Sequence, residues 1–163
     1  MLQMIHTIEG LRFFELMRVY LEGNQNAALL NYPTMDKNAA LVQAEQDFFQ
    51  YLSDVFFQTP GAFYAVWKVS DQYICALRME PYEDGLLLEG LETAPEMRNR
   101  GYATKLMMET LRNIVLPVYS HVSKDNISSL SVHSKCGFVE YLNYAKCIDG
   151  VVNKEMLTLR YCK

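Results

Sequence analysis

Apolar positions along the chain recur in two rhythms, and the change between them divides it. After a short apolar run around Leu2 to Ile8, Phe13, Phe14, Met17, Tyr20 and Leu21 recur at helical spacing, with Gly23-Asn24 as the expected stop. Asn31-Tyr32-Pro33 breaks the chain. A second helical stripe then runs through Leu41, Ala44, Phe48, Leu52 and Val55 or Phe56 and closes before Thr59-Pro60-Gly61. From there the rhythm shortens. Ala62 to Val69 and Tyr73 to Met79 are β-branched and aromatic runs joined by Ser70-Asp71-Gln72, a predicted hairpin, and Leu86 to Ala94 is a third strand that Pro95 ends. Helical spacing returns in Ala103, Leu106, Met107, Thr110, Leu111 and Ile114, with Lys105, Glu109 and Arg112 on the opposite face. Val115 to Val122 is predicted as a strand and Asn126 to Lys135 as a short helix capped by Gly137. The last two strands, Phe138 to Ile148 and Val151 to Tyr161, flank Asp149-Gly150, a type I′ turn signal. The expected fold is α/β: a mixed sheet with helices on both faces.

Composition narrows the class without naming a function. The chain has 163 residues, half of them apolar, which suits a single domain over residues 1–163 with a sizeable core. Disorder and low complexity are excluded by that apolar fraction and by the modest Gly and Pro content. No run approaches the ~18 apolar residues of a membrane span, and MLQMIHTIEG lacks the basic start and long apolar run of a signal peptide. A net charge of −4 argues against nucleic acid or an anionic membrane as the main partner. Cys75, Cys136, Cys147 and Cys162 form no CxxC pair, which fits free thiols in a reducing cytoplasm.

The segment from Thr93 to Ile114 carries the most chemistry. A strand stops at a proline, a basic polar turn follows, and Gly101 and Ala103 open an amphipathic helix. Free N–H groups at such a helix start, the helix dipole and small residues together suit a phosphate-bearing ligand. Arg98 and Arg100 add local positive charge to an acidic chain. The turn matches neither GxxxxGK[ST] nor GxGxxG. For either arginine the plain alternative is a solvated surface cation.

Arg98-Asn99-Arg100-Gly101-Tyr102-Ala103 resembles the R/Q-x-x-G-x-G/A signature of the GNAT superfamily of acyl-CoA-dependent N-acetyltransferases, and Leu91 to Pro95 resembles the strand end before it. A second stretch looks like the family's next strand–helix–strand unit, with Val122, Asn126, Ser129, His133, Lys135 and Gly137-Phe138 in the matching places. The resemblance implies a mostly antiparallel sheet of about six to seven strands flanked by about four helices, and acetyl-CoA as co-substrate. It implies that backbone N–H groups from Asn99 through Gly101 and Tyr102 to Ala103 hold the pyrophosphate, assisted by Arg98 and Arg100. The main chain near Leu91 and Thr93 would pair with the pantetheine, and Asn126 either reaches the cofactor or caps its helix.

Transfer to an amine requires a proton acceptor, and Glu89 and Glu92 are the candidates. Strand alternation sends them to opposite faces unless a bulge intervenes. His133 stands where the family usually has a tyrosine that protonates the departing thiolate. It either keeps that role with a different pH dependence or is a helix-surface histidine, with the step lost or moved to Tyr141 or Tyr144. His121 is either structural or faces the acceptor, and Tyr20, Tyr32 and Phe49 are candidate acceptor contacts. The His133/Cys136 spacing lacks a second ligand pair, so no metal is expected. The resemblance implies a small-molecule or peptide amine as acceptor and allows a homodimer. A non-catalytic acyl-CoA-binding module is the alternative reading.

Overall fold

The computed structural model describes residues 1–163. Nine strands and five α-helices follow in the order β1 (Leu2–Ile5), α1 (Phe13–Val19), α2 (Leu21–Asn31), α3 (Lys37–Tyr51), β2 (Phe63–Val69), β3 (Gln72–Tyr82), β4 (Gly85–Thr93), α4 (Tyr102–Arg112), β5 (Val118–Ser123), α5 (Ile127–Lys135), β6 (Val139–Leu142), β7 (Ala145–Lys146), β8 (Val152–Asn153) and β9 (Met156–Tyr161). Seven strands form one sheet in the order β1-β2-β3-β4-β5-β9-β6, and β7 pairs with β8 in a separate two-stranded piece. Every pairing is antiparallel except β4 with β5.

Alternation along the strands supplies two cores. Phe63 and Ala65 of β2, with Cys75, Leu77 and Met79 of β3, face α4, where they meet Leu106, Met107 and Leu111. Tyr64, Val66 and Ala76 face the other way and pack with Leu16, Val19, Tyr20, Leu52 and Phe56. The predicted layering of helices on both faces therefore holds.

The first helical region departs from its sequence pattern. Gly23-Asn24 does not end a helix but lies inside α2, which makes three helices before β2 rather than two. The stripe of α2 is weak, because its buried contribution is little more than Ala28 set against Ala40 and Ala44 of α3. Asn24 is buried, and its amide nitrogen lies 3.1 Å from Met17 Sδ. Four residues before the predicted stripe, α3 starts at an N-cap: the Asp36 carboxylate accepts from the N–H groups of Asn38 and Ala39. A π-helical turn, Leu52–Phe56, carries it on to the predicted end.

The turn chemistry is redistributed. Ser70 and Asp71 both have positive φ, 48° and 64°, and Val69 pairs with Gln72, so the two-residue I′ geometry sits in the β2–β3 hairpin. At Asp149-Gly150 only Gly150 has positive φ, 87°, and its N–H donates to the Cys147 carbonyl. That is a three-residue loop of a type I turn closed by a left-handed glycine, not a type I′ turn. The strand predicted from Val115 begins only after Pro117, at Val118, since proline offers no N–H to a ladder.

Candidate active site

The site begins where the two parallel strands stop pairing. β4 and β5 pair at Leu86–Val118, Leu87–Tyr119 and Leu88–Ser120 and no further. Beyond that point Glu89 to Thr93 on one strand and His121 and Val122 on the other line a cleft of about 870 Å³, closed by the turn before α4 and by α5.

A bulge sets the chemistry of one wall. In the β3–β4 ladder Arg78 pairs with Glu89 and Ala76 with Glu92, so β4 carries one residue more than β3 across this stretch. Gly90 absorbs the extra residue with φ +57°, and Tyr20 hydrogen-bonds its carbonyl. With the bulge, Glu89 and Glu92 point to the same face, the one covered by α1, α2 and α3. Glu89 receives a hydrogen bond from Arg78 Nε at 3.1 Å. The Arg78 guanidinium lies 5.5 Å above the Tyr51 ring, which holds the pair on a fixed floor. Glu92 rests against α2, where a Cβ on Gly23 would come within 2.7 Å of its Oε1. Burial pushes the Glu92 carboxyl up to about 6, with Arg98 opposing the rise and Glu22 adding to it.

The turn before α4 is shaped for close approach. Asn99 and Gly101 both take left-handed backbone, φ 60° and 78°, and Gly101 caps the helix. The first N–H groups of α4, on Tyr102, Ala103 and Thr104, begin the helix at the cleft wall. Arg98 spans the entrance: its Nη1 meets Glu22 at 2.7 Å and its Nε donates to the Thr93 carbonyl at 3.2 Å. Arg100 reaches back to the Glu96 carbonyl and stays off the cleft wall. Asn126 caps α5 by accepting from the Ser129 N–H, and it also lines the cleft.

His133 is not a surface histidine. It is 1% exposed, and burial lowers its imidazole pKa while the Ser129 carbonyl works against that fall. Nδ1 sits 2.8 Å from that carbonyl, which fixes the neutral tautomer with the proton on Nδ1. Nε2 lies 2.9 Å from Ser120 Oγ, and Ser120 Oγ lies 3.1 Å from the Leu88 carbonyl. Ser120 therefore stands between His133 and the point where the strands part, a placement that no sequence signal marked.

A model of the Acetyltransferase (GNAT) family matches residues 25–138. The chain belongs to that family. No curated protein sequence matches it. Among solved structures it is similar to the PaiA N-acetyltransferase of Thermoplasma acidophilum, crystallised with coenzyme A, at 11% identity and a TM-score of 0.63 over 100% of this chain and 99% of that one. It is also similar to a GNAT-family acetyltransferase from Bacillus anthracis, at 14% identity and a TM-score of 0.61 over 99% and 94% of the two chains. An IAA acetyltransferase from Bacillus cereus gives 14% identity and a TM-score of 0.59 over 98% and 97%. These likenesses are of fold.

Within this GNAT fold the remaining candidates separate. Leu91, Thr93, Tyr102, Ala103 and His121 line the cleft. Tyr20 is buried under the bulge, whereas Tyr32 is tied to Asp47 on α3 and Phe49 is largely exposed against Phe13; neither reaches the cleft. Tyr141 and Tyr144 line a second cavity of about 390 Å³ with Tyr82, Tyr119 and Arg160, away from the turn before α4, so neither replaces the residue at 133. No helix is long and apolar enough to cross a membrane.

Proposed function

We propose that the protein transfers an acetyl group from acetyl-CoA to a primary amine by direct attack while both are bound. The observation that carries this reading is the joining, in one cleft, of a helix start shaped for phosphate, an unpaired strand edge and a face bearing carboxylates. The pyrophosphate lies on the N–H groups from Asn99 to Ala103, with Arg98 exchanging its Glu22 partner for phosphate. The pantetheine runs along β4 from Leu91 to Thr93, where the strand has no partner on the β5 side. The acetyl group then reaches the split beside Leu88 and Ser120.

The amine approaches from the face of Glu89 and Glu92. A lysine-like amine has a pKa of about 10.4 and arrives as an ammonium ion, so carboxylates both attract it and take its proton. Glu89, next in the chain to the last paired residue, is the base, and Glu92 draws the cation in. As the tetrahedral intermediate collapses, the Ser120 hydroxyl passes its proton to the thiolate while its Oγ takes one from Nε2 of a protonated His133, which returns to the neutral form with its remaining proton on Nδ1. The proposed acceptor is a cationic primary amine, free or on a peptide, and the proposed setting is the cytoplasm.

A second reading, a module that binds acyl-CoA without turnover, is favoured by the burial of His133 behind Ser120. Calorimetry with acetyl-CoA, followed by thiol release in the presence of n-butylamine, lysine amide and 1,4-diaminobutane, separates the two. Binding with thiol release supports the enzyme. Binding without release supports the module, and no binding at millimolar acetyl-CoA overturns both.

A further inference from the structure

One buried carboxyl takes no part in the mechanism above. Glu80 of β3 is 9% exposed and is the only carboxyl side chain among the buried residues. It pairs across the ladder with Leu87, and its diagonal neighbour on the same face is Glu89. The single guanidinium at this place, Arg78, gives its Nε to Glu89. No hydroxyl, backbone N–H or cation donates to Glu80; the carboxyl placed to meet it is that of its diagonal neighbour Glu89. Two carboxyl groups beside one guanidinium, one of them buried, cannot both stay ionised cheaply, and a proton held between them satisfies both.

We propose that Glu80 and Glu89 share one proton and that Glu80 is the onward station for the proton Glu89 removes from the acceptor amine. The inference rests on the reading of Glu89 as the base. An N–H bond of the ammonium breaks as an O–H bond forms on Glu89. The pair enters this step fully ionised, above the Glu80 midpoint, so the new proton is the one the two carboxyls then share; it rests on Glu80, leaving Glu89 charged against Arg78, and leaves to solvent before the next turnover. Glu80 touches neither substrate and is a positioning residue. Burial and the Glu89 carboxylate push it up to about 7, with Arg78 opposing, which places its ionisation in the working pH range. The groups that face the pair are Arg78 and Tyr82 from β3, Tyr64 from β2, Tyr20 between α1 and α2, Tyr51 from α3 and His121 from β5. The tyrosines that burial affects are shifted upward and stay neutral here, and burial lowers the His121 imidazole.

Carbon-detected NMR of side-chain carboxyls over pH 4 to 9 tests the pair in the intact protein without any acceptor. The expected result is a glutamate that titrates near neutrality and vanishes in Glu80→Gln. Ordinary carboxylate midpoints for both residues overturn the proposal. The kinetic arm uses acetyl-CoA with saturating n-butylamine. The kcat of the wild type rises through a midpoint near neutrality, while Glu80→Gln loses that step and runs about tenfold slower at pH 8. An unchanged midpoint in Glu80→Gln overturns the relay, since a merely structural role leaves the profile in place. Glu80→Asp, which keeps a carboxyl, restores the step and guards against a folding defect in the amide variant. A pair that titrates as expected in a protein that binds acetyl-CoA but turns over no amine overturns the relay together with the catalytic reading, whereas a normal titration in an active enzyme overturns the relay alone.

Discussion

His133 and Ser120 come from α5 and β5, yet the Nε2 of one lies 2.9 Å from the Oγ of the other, with the Leu88 carbonyl 3.1 Å beyond. In the proposed mechanism Ser120 is the donor to the thiolate, and His133 sets its direction. Ser120→Ala is expected to lower kcat by about a hundredfold with little change in the Kd for acetyl-CoA. His133→Gln keeps a polar group near Oγ and is expected to lose less, about tenfold. Turnover and calorimetry on the two variants check this. Equal, small losses in both would return the protonation step to water.

Gly101 is needed for its backbone angle rather than for space. Its φ is +78°, and a Cβ built there meets nothing within 4 Å. Gly101→Ala is expected to cost about 1 to 2 kcal/mol of stability through strain alone. Where the turn holds the pyrophosphate as proposed, the same strain tilts the first N–H groups of α4, so KM for acetyl-CoA is expected to rise while kcat changes less. Thermal unfolding and acetyl-CoA titration of that variant decide it.

Gly23 has the opposite character. It sits in the first turn of α2 at ordinary φ, and an added Cβ would lie 2.7 Å from Glu92 Oε1, the free end of a flexible side chain. Gly23→Ala gains up to about 1 kcal/mol of helix propensity and turns the Glu92 carboxylate away. The expected outcome is an unchanged or higher Tm with a several-fold lower kcat/KM for the amine and an unaltered KM for acetyl-CoA. Steady-state kinetics with lysine amide would show it, and an unaltered kcat/KM removes Glu92 from acceptor binding.

Much of this layering was readable in the sequence, because its signals are local. Proline and glycine close the strands, helix spacing marks α4, and RNRGYA marks the left-handed turn that opens it. The arrangement of the carboxylates was not. Whether Glu89 and Glu92 share a face depends on one extra residue at Gly90, and a bulge leaves no periodic trace when the flanking residues are themselves mixed. Glu80 lies just past the predicted strand Tyr73 to Met79 and nothing in the sequence singles it out, since its partner is a diagonal neighbour on another strand. The helix α2 was hidden because small contacts at Ala28 hold it rather than an apolar stripe, so Gly23-Asn24 read as an end.

The two buried titratable groups pull stability in opposite directions with pH. The imidazole of His133 is lowered in the fold, so its contribution is present above the unfolded value of about 6.5 and is lost as pH falls below it. Glu80 is raised from 4.5 to about 7, so its contribution is present below 4.5 and is lost as pH rises through about 7. Glu80→Gln is therefore expected to melt about 3 °C above the wild type at pH 8, with the gap closing toward pH 4.5. Thermal melts across that range check the sign. A variant less stable at pH 8 would mean that the ionised form is better solvated than its burial implies.

The parting of β4 and β5 bears on solubility as well as chemistry. Strands with unpaired N–H and C=O groups usually lie at the rim of a sheet, where another protein can pair with them and start aggregation. Here the open stretch lies in the interior of the sheet, flanked by β3 and β9 and roofed by the ends of α4 and α5. A folded chain is too thick to enter such a slot, while a thin linear molecule with amide groups of its own can. The fold thus keeps an exposed hydrogen-bonding ladder and screens its partners by girth.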